Sequence, residues 1–180
     1  MKKQLLIVIS LLSIFLFSAC DKTETIDDRW RTENEAQFNT IASNSEYTKL
    51  DVISGAGFVM YKVLETGTGD RAPFFNEQVI VRYTGWYKNI WTKPDTFTDE
   101  FGNIIKNKVI FDTTSQTNRP RPFRVNEVVT GFSTALQFMK EGDKWEVWMP
   151  WTLAYGSTGS GAIKGYSTLV FEIELVEIVR

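Results

Sequence analysis

Apolar and polar positions along the chain fall into three kinds of pattern. The first is a short apolar run from Leu5 to Phe17, preceded by Lys2-Lys3 and followed by Ser18-Ala19-Cys20. The second is helical. Trp30, Phe38 and Ile41 recur among good helix formers and predict an amphipathic helix over roughly 30–42. Phe132, Ala135, Leu136 and Met139 recur within 128–139 and predict a second helix, stopping at Glu141-Gly142 with the glycine as its C-cap. The third is β. "GFVMYKVLETGTG" from 57, "EQVIVRYTGWY" over 77–87, "KVIFDTT", "RPFRVNE", "DKWEVWMP" and "STLVFEIELVEIV" are short extended runs rich in branched and aromatic residues. In "DKWEVWMP" the alternation places Trp145, Val147 and Met149 on one face. Several short strands with one short helix among them predict an α+β domain, a curved antiparallel sheet wrapped around the helix, with an N-terminal helical extension.

The connections refine this outline. Residues 88–108, with Pro94, acids at 95, 99 and 100 and Gly102-Asn103, predict a long loop or an inserted hairpin. "GSTGSG" at 156–161 is glycine-rich, but no helix follows to offer its N-terminus to a phosphate, so it is expected to be a flexible hairpin loop. The basic start, the brief apolar run and the small residues before Cys20 describe a secretory signal over 1–19. "LFSAC" resembles a bacterial lipobox, which implies acylation of Cys20, the chain's single cysteine, and a lipid-held protein of the cell envelope on a periplasmic or surface face. Residues 21–28, "DKTETIDD", are expected to be an acidic tether, so that 20–56 is tether plus short helix and 57–180 is the folded domain.

Composition then removes chemistries. The chain of 180 residues is long enough for one domain with a real core. Its formal charge of −2 gives nucleic acid no basic surface to follow. With no histidine there is no Ser-His-Asp or Cys-His arrangement and no imidazole metal site, and no phosphate-binding glycine motif stands in strand–loop–helix context. Neither a cofactor nor a metal is expected. Paired carboxylates could be drawn from Asp112, Glu127, Glu141 and Asp143, but no spacing singles out a pair. Six Trp, six Tyr and thirteen Phe point to an aromatic-lined pocket in addition to a core.

Rotation about Xaa-Pro bonds is one reaction that needs neither nucleophile nor metal. Its barrier is about 18–20 kcal/mol, and uncatalysed exchange takes tens to hundreds of seconds. A protein accelerates it by binding the twisted amide better than the planar one. In order along the chain stand "VRYTG" (81–85), "IFDTT" (110–114), "RPFRV" (121–125), "VVTGF" (128–132), "ALQFMKEGDKWEVWMP" (135–150), "LAYG" (153–156) and "TLVFEIELVEI" (168–178). Each piece is weak alone, but their joint order resembles the FKBP-type peptidyl-prolyl isomerases over residues 57–180.

The resemblance implies a prolyl-binding pocket. Asp112, Tyr155 and Tyr83 would be its polar groups, Tyr155 donating to the substrate carbonyl and Asp112 acting as a buried acceptor that orders Tyr83. Phe111, Phe123, Val128, Val129, Phe132, Ile163 and Phe171 would form its apolar wall. Each apolar residue would also suit an ordinary core, whereas a core has no use for an acid after Phe111. Phe132 stands where the family usually has a tryptophan floor, Lys164 where it has a proline, and 88–108 is longer than in small members. The implied partners are proline-containing polypeptides of exported proteins, with weak macrolide binding. A catalytically silent binding module that uses the insertion and an altered pocket is the competing expectation.

Overall fold

The computed structural model describes residues 25–179. The expected signal, Cys20 and the first part of the tether lie outside the described residues. Among the described residues no helix is long and apolar enough to cross a membrane.

The first helix, α1 (Ile26–Ala42), begins at Ile26 rather than near residue 30. Thr25 caps it. The Thr25 hydroxyl accepts from the Asp28 backbone N–H at 3.1 Å, and the Asp28 carboxylate accepts from the Thr25 N–H at 3.3 Å. Asp27 and Asp28 therefore occupy the first turn, where the partial positive charge of the helix end favours acids. Two of the acids expected in a tether belong to a helix start. The expected boundary at 57 also runs through the sheet, because β1 (Thr48–Asp51) pairs antiparallel with β2 (Phe58–Glu65) from Thr48↔Tyr61 to Asp51↔Phe58.

The remaining elements are β3 (Gln78–Lys88), β4 (Thr96–Thr98), β5 (Ile104–Lys106), β6 (Lys108–Thr113), β7 (Arg121–Arg124), α2 (Thr130–Leu136), β8 (Lys144–Met149), β9 (Gly159–Ser160), β10 (Ile163–Lys164) and β11 (Leu169–Val179). The main sheet runs β1-β2-β8-β11-β3-β6, all antiparallel. Strand β7 pairs with the first half of β3, beyond whose second half lies β6. The 88–108 insertion is a hairpin, β4 with β5. The glycine-rich stretch is likewise an ordered hairpin, β9 with β10, rather than a flexible loop.

Helix α2 ends at Leu136, short of Gly142. The chain turns early because the Asp143 carboxylate accepts from the backbone N–H groups of Lys140 and Gly67, at 2.8 and 2.7 Å, and draws 140–143 onto the 67–69 loop. Gly142 still serves a turn, at φ +90°. The helix approaches β8 closely at Gly131, where a Cβ would stand 2.8 Å from Met149.

Both faces of the sheet are covered. On one face Val79, Val81 and Tyr83 of β3, Trp145, Val147 and Met149 of β8, and Phe171, Ile173 and Leu175 of β11 pack with Phe132, Ala135, Leu136 and Met139. On the other, α1 sets Phe38 and Ile41 on Met60, Trp148 and Val170, with Trp86 and Trp91 packed alongside. The alternation in β8 is thus not strict in burial, since Trp148 is buried beneath α1. Each such large side chain stabilises the fold by roughly 1.5–3 kcal/mol.

Candidate active site

Strand β3 loses one neighbour and gains another at Tyr83. Strand β7 pairs with Gln78–Val81, and β6 with Thr84–Lys88. Between them Thr114 supplies the missing ladder contacts, its hydroxyl accepting from the Tyr83 N–H at 3.0 Å and its N–H donating to the Tyr83 carbonyl at 2.9 Å. Asp112 on β6 and Arg121 on β7 flank this fork and meet over the Tyr83 ring. The Tyr83 hydroxyl donates to Asp112 Oδ2 at 2.5 Å. One Arg121 N–H group donates to the Tyr83 oxygen at 3.1 Å and to Asp112 at 3.2 and 3.3 Å.

The position of an acid beside Phe111 is explained by a β-bulge. The register between β3 and β6 shifts from Gly85↔Asp112 to Trp86↔Ile110, leaving Phe111 as the extra residue. In a regular strand Phe111 and Asp112 would face opposite ways; the bulge lets both border the same hollow. Asp112 is not the buried acceptor expected from the sequence. Its side chain is 43% exposed and paired with Arg121, so no unpaired charge is desolvated.

The hollow, about 250 Å³, is lined by Tyr83, Phe111, Asp112, Phe123, Glu127, Val128, Val129, Phe132, Tyr155 and Phe171. Its base is a set of rings meeting edge to face. Phe132 lies 5.1 Å from Phe171 at 87° and 5.9 Å from Tyr83 at 86°, and Phe111 lies 5.4 Å from Phe171 at 80°. Gly85 makes room for them, because a Cβ there would stand 2.6 Å from both the Phe111 and Phe171 rings. Tyr155 borders the hollow at 36% exposure, and among the described residues its hydroxyl has no hydrogen-bond partner. Burial, followed by the field of Asp112, raises its pKa above the ordinary phenol value, so it remains a donor at neutral pH. Burial and the bond to Asp112 push Tyr83 up to about 12.

The structure thus brings together nine of the ten expected pocket residues; the tenth, Ile163, pairs with Ser160 in the β9–β10 hairpin and is buried in the main core instead of lining the hollow. Sequence reasoning did not single out Arg121, although "RPFRV" carries it, and treated Glu127 only as one acid among several. Glu141 and Asp143 serve the fold. Glu141 accepts from the Ile178 N–H at 2.7 Å, and Asp143 holds the turn already described. No residue of the insertion lines the hollow; Trp91 anchors that segment on the other face, its indole N–H donating to Asn34 at 3.2 Å. The hairpin carrying Lys164 is tied down, with Trp30 Nε1 donating to the Gly165 carbonyl at 3.0 Å and the Tyr166 N–H to the Gly156 carbonyl at 3.0 Å.

Comparisons with known proteins agree with this geometry. Residues 69–176 match the family described as FKBP-type peptidyl-prolyl cis-trans isomerase. The chain is 28% identical to the macrophage infectivity potentiator of Trypanosoma cruzi over 179 residues, covering 96% of this chain and 82% of that one. It is 30% identical over 149 residues to the outer membrane protein MIP of Legionella longbeachae; that match takes in 82% of this chain but 55% of the relative's length. Its fold is similar to the 1.6 Å crystal structure of a peptidyl-prolyl cis-trans isomerase from Pseudomonas syringae pv. tomato, with a TM-score of 0.64 and 28% identity over 88% of this chain and 99% of the other.

Proposed function

We propose, on the premise that this chain belongs to the FKBP-type peptidyl-prolyl cis-trans isomerase family, that the ring-walled hollow binds Xaa-Pro segments of polypeptides and accelerates their cis–trans exchange. The observation that carries the proposal is the convergence on one hollow of an unpartnered Tyr155 hydroxyl and the Tyr83–Asp112–Arg121 cluster.

The prolyl ring would lie on Phe132, walled by Tyr83, Phe123 and Phe171, with Val128 and Val129 at the entry of α2. Rings exclude water from the amide, which strengthens the polar contacts that remain. As the C–N bond rotates, the carbonyl leaves the plane it shared with the nitrogen and loses conjugation. Tyr155 donates to that oxygen, and Asp112 fixes Tyr83 so that this wall stays in place. A hydrogen bond made only to the twisted form lowers the barrier by about 1–3 kcal/mol, and ring contacts that fit the twisted form better add to it. Phe132 preserves the flat floor while lacking an indole N–H. No covalent bond is made or broken, and no proton is transferred.

An envelope location fits a relative named as an outer membrane protein. Anchoring through acylated Cys20 extends that reading, as does weak macrolide binding in the same hollow. Exchange spectroscopy by NMR on a short Xaa-Pro peptide tests the activity. Acceleration over buffer is expected, and none would leave a silent binding module. At equal folded fraction, Asp112→Ala and Tyr155→Phe are each expected to lower kcat/KM by about 10-fold or more; unchanged turnover in both would remove these residues from the site. Retention of the mature protein in a detergent phase, lost in Cys20→Ser, tests the anchor.

A further inference from the structure

Next to the hollow lies a larger groove of about 510 Å³, lined by Val52, Ile53, Phe75 and Val128 and by residues of α2, among others. It arises from an unusual stripe on α2. While Phe132, Ala135 and Leu136 face the core, Thr130, Ser133, Thr134 and Gln137 recur at helical spacing on a second face and are too small or too polar to fill the space before Val52 and Ile53. The groove contains no ionisable side chain. Of its polar side chains, Ser54, Asn126 and Thr130 are exposed to solvent, and two of the more enclosed ones are occupied locally. The Thr134 hydroxyl donates to the Thr130 carbonyl at 2.8 Å, and the Gln137 amide donates to the Ser133 carbonyl at 3.1 Å. An apolar occupant would strand few hydrogen-bonding groups there. The rim offers large apolar side chains to water, with Ile53 74% and Phe75 57% exposed.

Val128 borders both cavities, the groove on one side and the prolyl hollow on the other. We propose that the groove is a second subsite for the same polypeptide, receiving an apolar side chain a few residues from the proline. This rests on the isomerase reading, because the occupant follows from a chain that already has its proline in the hollow and crosses Val128. An extended chain advances about 3.3 Å per residue, so neighbouring positions pass the groove without leaving the surface. The groove gives the protein a preference the hollow cannot, for prolines set beside apolar residues. Such segments are buried in folded proteins and exposed in unfolded ones.

The test compares Xaa-Pro peptides carrying Phe two, three or four residues to either side of the proline with the same peptides carrying Gly, using the mature protein. One Phe placement is expected to raise kcat/KM about tenfold, mostly through KM. In Ile53→Lys and Phe75→Lys, whose side chains project into solvent and are outside the hollow, that gain is expected to vanish while the Gly peptide is turned over as before. Equal turnover of all peptides overturns the subsite and leaves the isomerase reading intact. Loss of turnover on the Gly peptide in both variants would assign the groove to the fold instead. No turnover of any peptide by the unaltered protein overturns both readings. A concentration-dependent dimer that the lysine variants abolish, with no flank preference, would assign the groove to a second copy of the chain.

Discussion

The two faces of the main sheet carry similar side chains to opposite ends. Beneath α1, Phe38, Trp148, Trp86 and Trp91 close on one another, Trp91 lying 5.4 Å from Trp148 and Trp86 5.7 Å from it. On the α2 side, Tyr83, Phe111, Phe123, Phe132 and Phe171 make contacts of the same kind and leave an open hollow. Ring density therefore does not distinguish a binding site from a sealed layer. What distinguishes them is polar geometry. The sealed side is locked by Asn34, fully buried, whose amide donates to the Trp30 carbonyl while its oxygen accepts from the Thr168 N–H at 2.8 Å and the Trp91 indole. The open side keeps a hydroxyl with no partner among the described residues and an acid held at the rim.

The largest expected separation of the two faces comes from Asn34→Ala. It strands the Thr168 N–H and the Trp91 N–H together, a loss of about 2–5 kcal/mol. Thermal unfolding should shift downward by roughly 5–15 °C, while kcat/KM per folded molecule stays unchanged. A variant that unfolds normally yet loses turnover would mean that the back layer shapes the hollow.

Gly85→Ala should act in the reverse sense. The added Cβ meets two rings that cannot both retreat, since Phe111 and Phe171 also pack on each other. Stability should fall by about 1–3 kcal/mol, and misplacement of the wall should cost on the order of 10–100-fold in kcat/KM. Peptide exchange and denaturant melts on the same sample check it. Turnover that survives the substitution would show that these rings do not hold the prolyl ring.

How much of this was legible in the sequence follows the same division. The strands, α2's buried positions and most of the hollow could be read because motif order along 81–178 reports local geometry. The bulge at Phe111 was not legible, since nothing in "IFDTT" marks which residue is extra. Arg121 carries no sequence signal because its meeting with Asp112 depends on the β6–β7 fork, which the local pattern does not encode. The start of α1 lies before the first apolar position that spacing marks, although "TIDD" holds a threonine with an aspartate three residues on, the pattern of a capping box. Asn34 gave no signal: one asparagine on a helix predicts nothing about a partner at Thr168, and its role exists only once α1 docks beside Thr168 and Trp91 of the insertion folds back over it.

Alkaline titration offers a smaller and more specific effect. Tyr83 is raised to about 12 in the folded protein, from the ordinary phenol value of 10.0, first by burial and then by Asp112. Between those values the unfolded chain gives up the proton while the folded chain keeps it. Tyr83 therefore contributes stability that is fully present below pH 10 and lost as pH rises toward 12. Stability measured across that window should decline less in Tyr83→Phe than in the unaltered protein. An equal decline would place the linkage at other tyrosines.

The smallest effect probes a place where the two faces communicate. Helix α1 reaches around to the segment that bears Tyr155. Arg31 lies over the Trp151 and Tyr166 rings, at 5.5 and 5.1 Å, and Glu35 accepts from the Arg31 side chain at 2.8 Å and from the Trp151 indole at 3.1 Å. Tyr166 stands at φ +62°, and its backbone N–H is held by the Gly156 carbonyl at 3.0 Å. The Arg31 hydrogen bond lowers the Glu35 pKa below the usual carboxylate value, although burial opposes it. The brace is accordingly intact above the unfolded value of about 4.5 and is lost as pH falls through the lower folded value. Because Arg31 and Glu35 are 48% and 42% exposed, solvent screens the pair and only a modest effect is expected. Arg31→Ala should raise KM about two- to fivefold with kcat nearly constant, and Arg31→Lys, which keeps the charge without the planar stack, should recover part of it. Should Arg31→Ala leave KM unchanged, Tyr155 would be held by its own loop, and the two faces of the sheet would be independent in function.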